Sequence, residues 1–229
     1  GVHQASVRGG DERVTVDLEE GSVESLRQSM DGAEAVVCCA GFVPEYLGKV
    51  DAQRCHRVDN LGTRKLIEAA RESGIEHFVL LSSLLTGLTP NDGNLNRKLL
   101  NTLGNVVDEK REAELALMHS GLKYTIVRPG VFSSSQQGNI VVGESNAFTG
   151  SAQADADVGP PLRCASPFMS SSGGVCALTR AQVAEIIAGV VLNPEAYGRI
   201  LEIVARPEVD AKAWETQLTD SVFFRQGAR

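Results

Sequence analysis

Polar and glycine residues recur where apolar runs of the sequence end. Prominent among them are Arg8, Asp17, Gly41, Ser83 and Gly130. If the runs are parallel strands, their carboxyl ends share one edge of a sheet, which is where open α/β sheets bind ligands. A guanidinium there suits a phosphate because its donors form a fork, and a glycine lets the backbone approach a sugar. Residue types of this kind at a sheet edge are therefore compatible with a small anionic ligand.

Cysteines and histidines show no spacing that indicates a metal or disulfide site. The five cysteines match neither a zinc pattern nor a disulfide framework, and we expect adjacent Cys38 and Cys39 to be buried, reduced thiols. His56, His77 and His119 are scattered and are predicted to be structural. The net charge of −7 disfavours nucleic acid as a partner, and no apolar run approaches the roughly 20 residues of a membrane span. A small anionic ligand remains compatible with these features.

Strand and helix patterns alternate along the chain, as is typical of a parallel sheet covered by helices on both faces. The expected strands occupy residues 3–7, 14–17, 35–39, 78–81, 124–127 and 200–204. The expected helices begin after Ser22, at Leu61, at Asp108 and after Thr179. We therefore expect one α/β domain over residues 1–229, built on a doubly wound parallel Rossmann sheet.

Residues 145–174 interrupt this alternation. They are rich in Ser, Ala, Gly and Pro and contain few periodic apolar positions. This composition predicts a long, mobile loop or insertion. Both a loop that covers a site and a tolerated surface insertion remain open.

Several ordered segments resemble a known family. They are Asp31–Gly41, Val58–Thr63, Leu66–Ala70, His77–Ser83, Lys110–Glu114, Ser120–Gly130, Gln182–Glu185 and Val191–Pro207. Their order and spacing are similar to those of the atypical short-chain dehydrogenase/reductase superfamily, in particular its NmrA-like, NAD(P)-binding branch of cyanobacteria and plastids. That branch includes relatives of the NADPH-binding subunit of the chloroplast inner-envelope translocon. The resemblance covers nearly the whole chain outside residues 145–174.

The resemblance implies an NADP(H) cofactor held along the strand ends. Arg8 would pair with the adenosine 2′-phosphate and favour NADP over NAD, although a solvated arginine at a strand end is the alternative. Asn60 and Thr63 would either line the cofactor site with polar groups or cap the start of a helix. The implied cofactor-binding residues are Arg8, Asp17, Leu18, Cys39, Ala40, Gly41, Lys110, Pro129 and Gly130.

The glycine-rich phosphate loop of this family does not occur in the sequence. In such folds the loop lies at the first strand-to-helix turn, whereas Gly9-Gly10 follows what we expect to be the second strand. We expect the chain to lack the first strand and this loop because it is incomplete. A scaffold protein that has lost the loop is the other interpretation.

Catalytic residues of the family are only partly matched. Typical members place a tyrosine four residues before a lysine, so that the lysine lowers the tyrosine pKa and the phenol exchanges the substrate proton. Lys110 matches the lysine, but Val106 replaces the tyrosine, and Leu84 stands where many relatives have a catalytic hydroxyl. Ser83 would contact substrate, or serve only as a strand-end hydroxyl. We expect ordinary carbonyl reduction to be excluded.

Two functions follow from these expectations. The first is a reductase that moves hydride from NADPH to a flavin- or quinone-like acceptor. The second is a non-catalytic, NADP(H)-sensing or structural subunit of a larger, plausibly photosynthetic, protein assembly. The resemblance implies a plastid protein of the stroma or thylakoid, with a cytoplasmic location as the alternative.

Overall fold

The computed structural model describes the chain in segments. They are residues 2–6, 13–42, 51–89, 91, 93–135, 138–145, 147–148, 177–207, 210 and 216–217. Arg8, Gly9 and Gly10 lie outside the described residues, and so does most of the predicted loop 145–174. What the sequence predicts for those positions stays a prediction.

Strands and helices alternate through the described residues much as the sequence predicts. The strands are β1 (Val2–Ser6), β2 (Arg13–Asp17), β3 (Ala35–Cys38), β4 (His77–Leu81), β5 (Lys123–Pro129), β6 (Phe132–Ser133), β7 (Asn139–Glu144), β8 (Leu178–Thr179) and β9 (Arg199–Arg206). The α-helices are α1 (Val23–Gln28), α2 (Ala52–Cys55), α3 (Thr63–Glu72), α4 (Leu95–Asn101), α5 (Val106–Met118) and α6 (Arg180–Val191). A π-helix (His56–Gly62) and 3₁₀ turns (Leu84–Gly87 and Pro194–Ala196) complete the described elements. None of the described helices is long and apolar enough to cross a membrane.

The largest described sheet has five strands in the order β3-β4-β5-β9-β7. β3, β4, β5 and β9 are parallel, whereas β7 joins β9 in the antiparallel sense. Phe78 and Leu80 of β4 pack into a core with α1, α3 and α5, and the intervening Val79 packs on the other face with α6. Because helices cover both faces, the predicted Rossmann-type sheet is confirmed as a mostly parallel one.

The first two strands depart from the predicted parallel arrangement. β1 and β2 pair with each other in the antiparallel sense and form a separate two-stranded sheet. Only residues 7–12 connect them, whereas a parallel crossover needs about a dozen residues or more. The short connection therefore dictates a hairpin-like pairing. The antiparallel β7 was also not predicted, although its Ile140-Val141-Val142 run is typical of a strand.

Several boundaries differ from the sequence predictions in ways that affect the site. The helix expected from Leu61 begins instead at Ala52 and passes through the π-helix before α3. β5 continues through Arg128 and Pro129, which were expected to end the strand. The cap of α6 agrees with prediction, because Thr179 and Gln182 form a reciprocal capping box.

Candidate cofactor and substrate site

The carboxyl ends of β3, β4 and β5 lie side by side because these strands are parallel neighbours. Residues 39–42 follow β3, Ser82 and Ser83 follow β4, and Gly130 follows β5. The Ser82 N–H donates to Val127 O at 2.8 Å, which extends the ladder past the end of β4. The predicted residues Cys39, Ala40, Gly41, Ser83, Pro129 and Gly130 are therefore brought to one edge of the sheet.

Lys110 joins this edge through a buried carboxylate that the sequence prediction missed. Lys110 Nζ lies 2.7 Å from Asp59 Oδ1, and the Asp59 side chain is fully buried. A Cβ atom built on Gly41 would lie 3.1 Å from Lys110 Nζ and 3.2 Å from Asp59 Oδ1. The absence of a side chain at Gly41 thus makes room for the ion pair, and it brings three chain segments together at the end of β3.

Two further donors hold the second oxygen of Asp59. The Phe42 N–H donates to Asp59 Oδ2 at 3.0 Å, and Cys55 Sγ lies 3.5 Å from the same oxygen. Burial, followed by the nearby Asp59 charge, raises the pKa of Cys55 to about 12. The thiol therefore stays protonated at neutral pH and donates to the carboxylate. A buried carboxylate needs such partners to offset its lost hydration.

The π-helix places Asp59 and Asn60 beside the strand ends. π-helical turns insert an extra residue into a helix and occur often at functional sites. A Cβ on Gly62 would lie 2.7 Å from Leu18 O, so this glycine lets the π-helix pass close to the turn after β2. Thr63 Oγ1 bonds Val58 O at 3.5 Å, which is a local helical contact. An acidic residue between Val58 and Gly62 was the available sequence signal for Asp59.

Asn60 and Glu109 connect the π-helix to α5. Asn60 Nδ2 donates to Glu109 Oε2 at 2.8 Å, and His56 Nδ1 lies 2.8 Å from the same oxygen. Asn60 Oδ1 is buried and has no hydrogen-bond donor among the described residues. An unpaired buried carbonyl is costly, so this atom is a natural acceptor for a ligand hydroxyl or amide.

Asp17 and Leu18, predicted to lie against adenine, have local structural contacts. Asp17 Oδ1 accepts the N–H groups of Glu19 and Glu20 at 2.9 and 3.2 Å. The hydrogen bond from Glu20 is the largest cause that lowers the Asp17 pKa. Asp17 also lines a cleft of about 530 Å³ between β2 and α1, whereas Leu18 is buried beneath the π-helix.

The remaining predicted residues differ in what they offer a ligand. Cys39 is exposed, contrary to the expected burial, whereas Cys38 is buried. Pro129 is buried in β5, and the Gly130 N–H donates to Ile203 O at 2.9 Å. Gly130 would therefore contact a ligand only through its carbonyl or Cα. The Ser83 hydroxyl makes no capping bond to the 3₁₀ turn that follows it.

A buried ionic network lies behind this edge and was not predicted. Arg128 of β5 donates Nε and Nη2 to Glu114 of α5 at 3.0 and 2.7 Å. Arg128 Nη1 lies 3.6 Å from Glu202 Oε1, and all three side chains are almost wholly buried. Burial acts to raise the pKa of Glu114, but the hydrogen bonds and charge of Arg128 outweigh it and lower that pKa. The network thus ties α5, which carries Lys110, to the adjacent strands.

The same network fixes the first residues of the predicted loop 145–174. Arg128 Nη1 donates to Ser145 Oγ at 3.0 Å, and the Phe148 N–H donates to Glu202 Oε2 at 2.9 Å. Phe148 itself is 7% exposed and packs beside Val204. The start of this stretch is therefore packed against the folded domain. Residues 149–174 lie outside the described residues.

The position of the family tyrosine holds no proton donor. Val106 is the first residue of α5, and Lys110 follows one turn later. Leu84 is buried in the 3₁₀ turn after Ser83. Among the described tyrosines, Tyr124 packs against the core and Tyr197 packs edge-on against His77. No metal-binding cluster occurs within the described part of the chain.

This mostly parallel sheet with helices on both faces is the fold of the Rossmann class, whose members bind dinucleotides at the strand ends. The chain belongs to the NAD(P)H-binding family, which it matches over residues 3–160. The sequence-based identification of an NAD(P)-binding, Rossmann-type protein is therefore confirmed. The chain is thus an NAD(P)-binding domain.

Two relatives are chloroplastic plant proteins. An uncharacterized chloroplastic protein of Arabidopsis thaliana is 31% identical over 206 residues, covering 88% of this chain and 63% of its own length. Protein TIC 62, chloroplastic, of Oryza sativa is 30% identical over 221 residues, covering 94% of this chain and 38% of its own length. The chain thus spans less than two thirds of either relative.

A solved bacterial structure has the same fold. The oxidoreductase ylbE from Lactococcus lactis superposes with a TM-score of 0.60 over 90% of this chain and 75% of that chain. The two sequences are 21% identical, so the likeness concerns the fold.

Proposed function

We propose that this protein binds NADPH along the carboxyl ends of β3, β4 and β5 and reduces a flavin- or quinone-like acceptor. The observation that carries the proposal is the meeting of Gly41, Asp59 and Lys110 at the end of β3. The Lys110 ammonium, the Asp59 carboxylate that holds it and the backbone of Gly41, which carries no side chain, suit a ribose and its neighbouring groups. When bound, NADPH supplies the hydride, and the protein supplies its position.

The described residues fit such a cofactor. Lys110 would hold the nicotinamide ribose, because its ammonium donates to hydroxyl oxygens and Asp59 fixes where it points. Asn60 Oδ1, which has no donor among the described residues, would accept a hydrogen bond from the ligand. Residues 39–41 would border the ribose, and Pro129 and Gly130 would shape the nicotinamide side. Asp17 and Leu18 would border the adenine.

NADP is the form we propose, through Arg8. A guanidinium binds two phosphate oxygens at once, which a strand-end carboxylate would repel. Arg8 lies outside the described residues, so its support is the Val7-Arg8 sequence and the family it resembles.

The class of hydride acceptor follows from the lack of a proton donor at Val106. A carbonyl substrate needs a proton at its oxygen as hydride arrives, and positioned acid catalysis of this kind is typically worth about 10²–10⁴-fold. Val106 carries no ionisable group, and Lys110 is held by Asp59. A flavin or quinone accepts hydride and takes its proton from water, so it needs no phenol. Ser83 would contact this acceptor through its hydroxyl, which makes no capping hydrogen bond to the following 3₁₀ turn.

A second function is favoured by the presence of Val106 at the position of the family tyrosine. Without a proton donor at Val106, the protein would serve as an NADP(H)-sensing or structural subunit of a larger assembly. The resemblance to the NmrA-like branch, which includes relatives of a translocon subunit, supports this alternative. The chloroplastic names of both relatives support a plastid location, in the stroma or at the thylakoid, for either function.

A substrate panel separates the two functions. The full-length protein is mixed with NADPH and, in turn, with simple ketones and aldehydes, quinones and free flavins, and NADPH oxidation is followed by absorbance. Quinone or flavin turnover should exceed carbonyl turnover by about 10²–10⁴-fold, the usual worth of the missing acid. Brisk ketone reduction would refute the proposed acceptor class. No turnover on any panel, with NADPH still bound in a parallel titration, would instead support the sensing or structural subunit.

A further inference from the structure

A basic groove runs along the outer face of α3. Its lining includes Leu61, Arg64, Lys65, Glu68, Arg71 and Ala116, and its volume is about 710 Å³. Leu61 to Arg71 come from the π-helix and α3, and Ala116 comes from α5. None of these residues belongs to the predicted cofactor site.

Cations outnumber carboxylates in the basic groove. Arg64 and Arg71 are exposed, and neither has an ion-pair partner among the described residues. Lys65 Nζ donates to two carbonyls, Glu19 O at 3.0 Å and Gly21 O at 2.7 Å, so no carboxylate neutralises it. Glu68 is the only carboxylate on this stretch of helix that lines the groove, and no described cation pairs with it.

The carboxylate at the end of the groove is already neutralised. Glu19 also lines it, but Glu19 Oε1 lies 2.7 Å from Arg57 Nε and Glu19 Oε2 lies 3.3 Å from Arg54 Nε. Since the chain as a whole carries a net charge of −7, a local excess of cations is not a consequence of composition. Among the described residues, Arg64, Lys65 and Arg71 face only one carboxylate in the groove, Glu68, that is not already paired. The groove therefore keeps an excess of positive charge and is complementary to anions.

Apolar surface accompanies these charges. The Leu61 side chain is 43% exposed within the groove, and Ala116 forms part of the opposite wall. A chain segment that carries both carboxylates and apolar side chains would match this mixture. A groove of this size accommodates side chains of such a segment, whereas a flat membrane surface would not enter it.

We propose that the basic groove is a docking site for an acidic, partly apolar segment of a partner protein. Carboxylates of the segment would pair with Arg64 and Arg71, and an apolar side chain would cover Leu61. A second copy of this chain is a poorer occupant, because a symmetric contact would place unpaired guanidiniums near one another. This inference does not depend on the proposed reductase activity.

The test uses a fluorescein-labelled peptide of repeated Glu-Leu-Glu-Glu units and the full-length protein. The binding variant is Arg64→Glu/Arg71→Glu, and the matched control is Lys98→Glu/Arg180→Glu, which reverses two exposed charges outside the groove. Circular dichroism and thermal unfolding check that both variants are folded. Anisotropy measures peptide binding at ionic strengths of about 0.01 M and 0.15 M, between which the Debye length falls from about 30 Å to about 8 Å.

We expect the acidic peptide to bind the wild type and the control equally, and to bind more weakly at the higher ionic strength. The groove variant should lose at least about tenfold in affinity, because two attractions become repulsions. A Lys-Leu-Lys-Lys peptide should not bind. Equal binding by the groove variant, or no binding of the acidic peptide, would overturn the proposal. Binding of the wild-type protein to phosphatidylglycerol vesicles but not to the acidic peptide would also overturn it. So would a wild-type dimer, detected by sedimentation, that the groove variant no longer forms.

Discussion

Lys110 Nζ lies 2.7 Å from Asp59 Oδ1, and Asp59 is wholly buried while the Lys110 side chain remains 19% exposed. The pair therefore has a fixed inner member and an outer member that reaches the solvent edge. This asymmetry makes Asp59 a positioning residue for Lys110. It also explains how a lysine in the second turn of α5 is directed to the end of β3, where Gly41 leaves space for it.

Replacing the Asp59 carboxylate with a neutral side chain of the same size should weaken the contact that positions Lys110. Asp59→Asn keeps the size of the side chain and an acceptor for the Phe42 N–H, but it removes the charge that attracts the ammonium. We expect a stability loss of about 1.5–3 kcal/mol, as for hydrogen bonds to charged groups, together with weaker NADPH binding. Urea unfolding and NADPH titration measure the two effects. Unchanged NADPH affinity would contradict the positioning role.

Arg128 should be among the most costly residues to replace. Arg128→Met would leave the buried carboxylates of Glu114 and Glu202 without their shared cation. Breaking a buried pair in this way costs about 3–5 kcal/mol, and urea unfolding should show a loss of this size. The matched control is Arg199→Met, since the Arg199–Glu144 pair is partly exposed and such pairs are worth about 1 kcal/mol or less. Equal losses in both variants would refute the network.

His77 should make the folded state sensitive to mild acid. It is 2% exposed, and its Nε2 lies 2.9 Å from Thr125 Oγ1. Burial lowers the pKa of His77 below its ordinary 6.5. Below that value the unfolded chain binds a proton that the folded protein resists, so stability is present above pH 6.5 and falls as the pH falls towards the folded pKa.

Comparing variants isolates this contribution. His77→Gln should flatten the decline in unfolding free energy between about pH 7 and pH 5, because its group no longer titrates in this window. His119→Gln, at an exposed position at the end of α5, should keep the wild-type slope. A wild-type slope in His77→Gln would contradict the assignment.

Arg8 should determine the preference between the two cofactors. A phosphate–arginine pair is worth on the order of 1.5–3 kcal/mol, roughly tenfold or more in affinity. Arg8→Ala should therefore weaken NADPH binding by that factor and leave NADH binding unchanged. Calorimetric titration with both cofactors measures this, with Arg27→Ala on α1 as the control. Equal wild-type affinity for NADPH and NADH would remove the role given to Arg8.

The fold was predictable where strand and helix periods are strong and local. The apolar runs at 78–81 and 124–127 identified β4 and β5, and Thr179 identified the start of α6. The antiparallel pairing of β1 and β2 was missed because the alternation of strands and helices along the chain predicted one parallel sheet. Residues 7–12 are too few for a parallel crossover, and their number was the available signal. The pairing of β7 with β9 could not be predicted because the two strands are distant in sequence, and periodicity does not reveal such pairing.

Individual residues of the site were predictable from the sequence, but the contacts between them were not. Gly41 and Lys110 were identified separately, from a strand end and from a helix motif. Asp59 was not identified, because a π-helical turn shifts which residues face inward and no simple period describes it. Glu114 and Arg128 were taken as context for family motifs, since only the packed fold shows that they form a buried network with Glu202.

Lys110 is proposed to hold a nicotinamide cofactor at the end of β3. This role is measured by NADPH titration of the full-length wild type, Lys110→Met and the exposed control Lys98→Met, with urea unfolding to compare stability. Lys110→Met should bind NADPH at least about tenfold more weakly, since a charged hydrogen bond is worth about 1.5–3 kcal/mol. Lys98→Met should match the wild type. Wild-type affinity in a folded Lys110→Met variant would contradict the account.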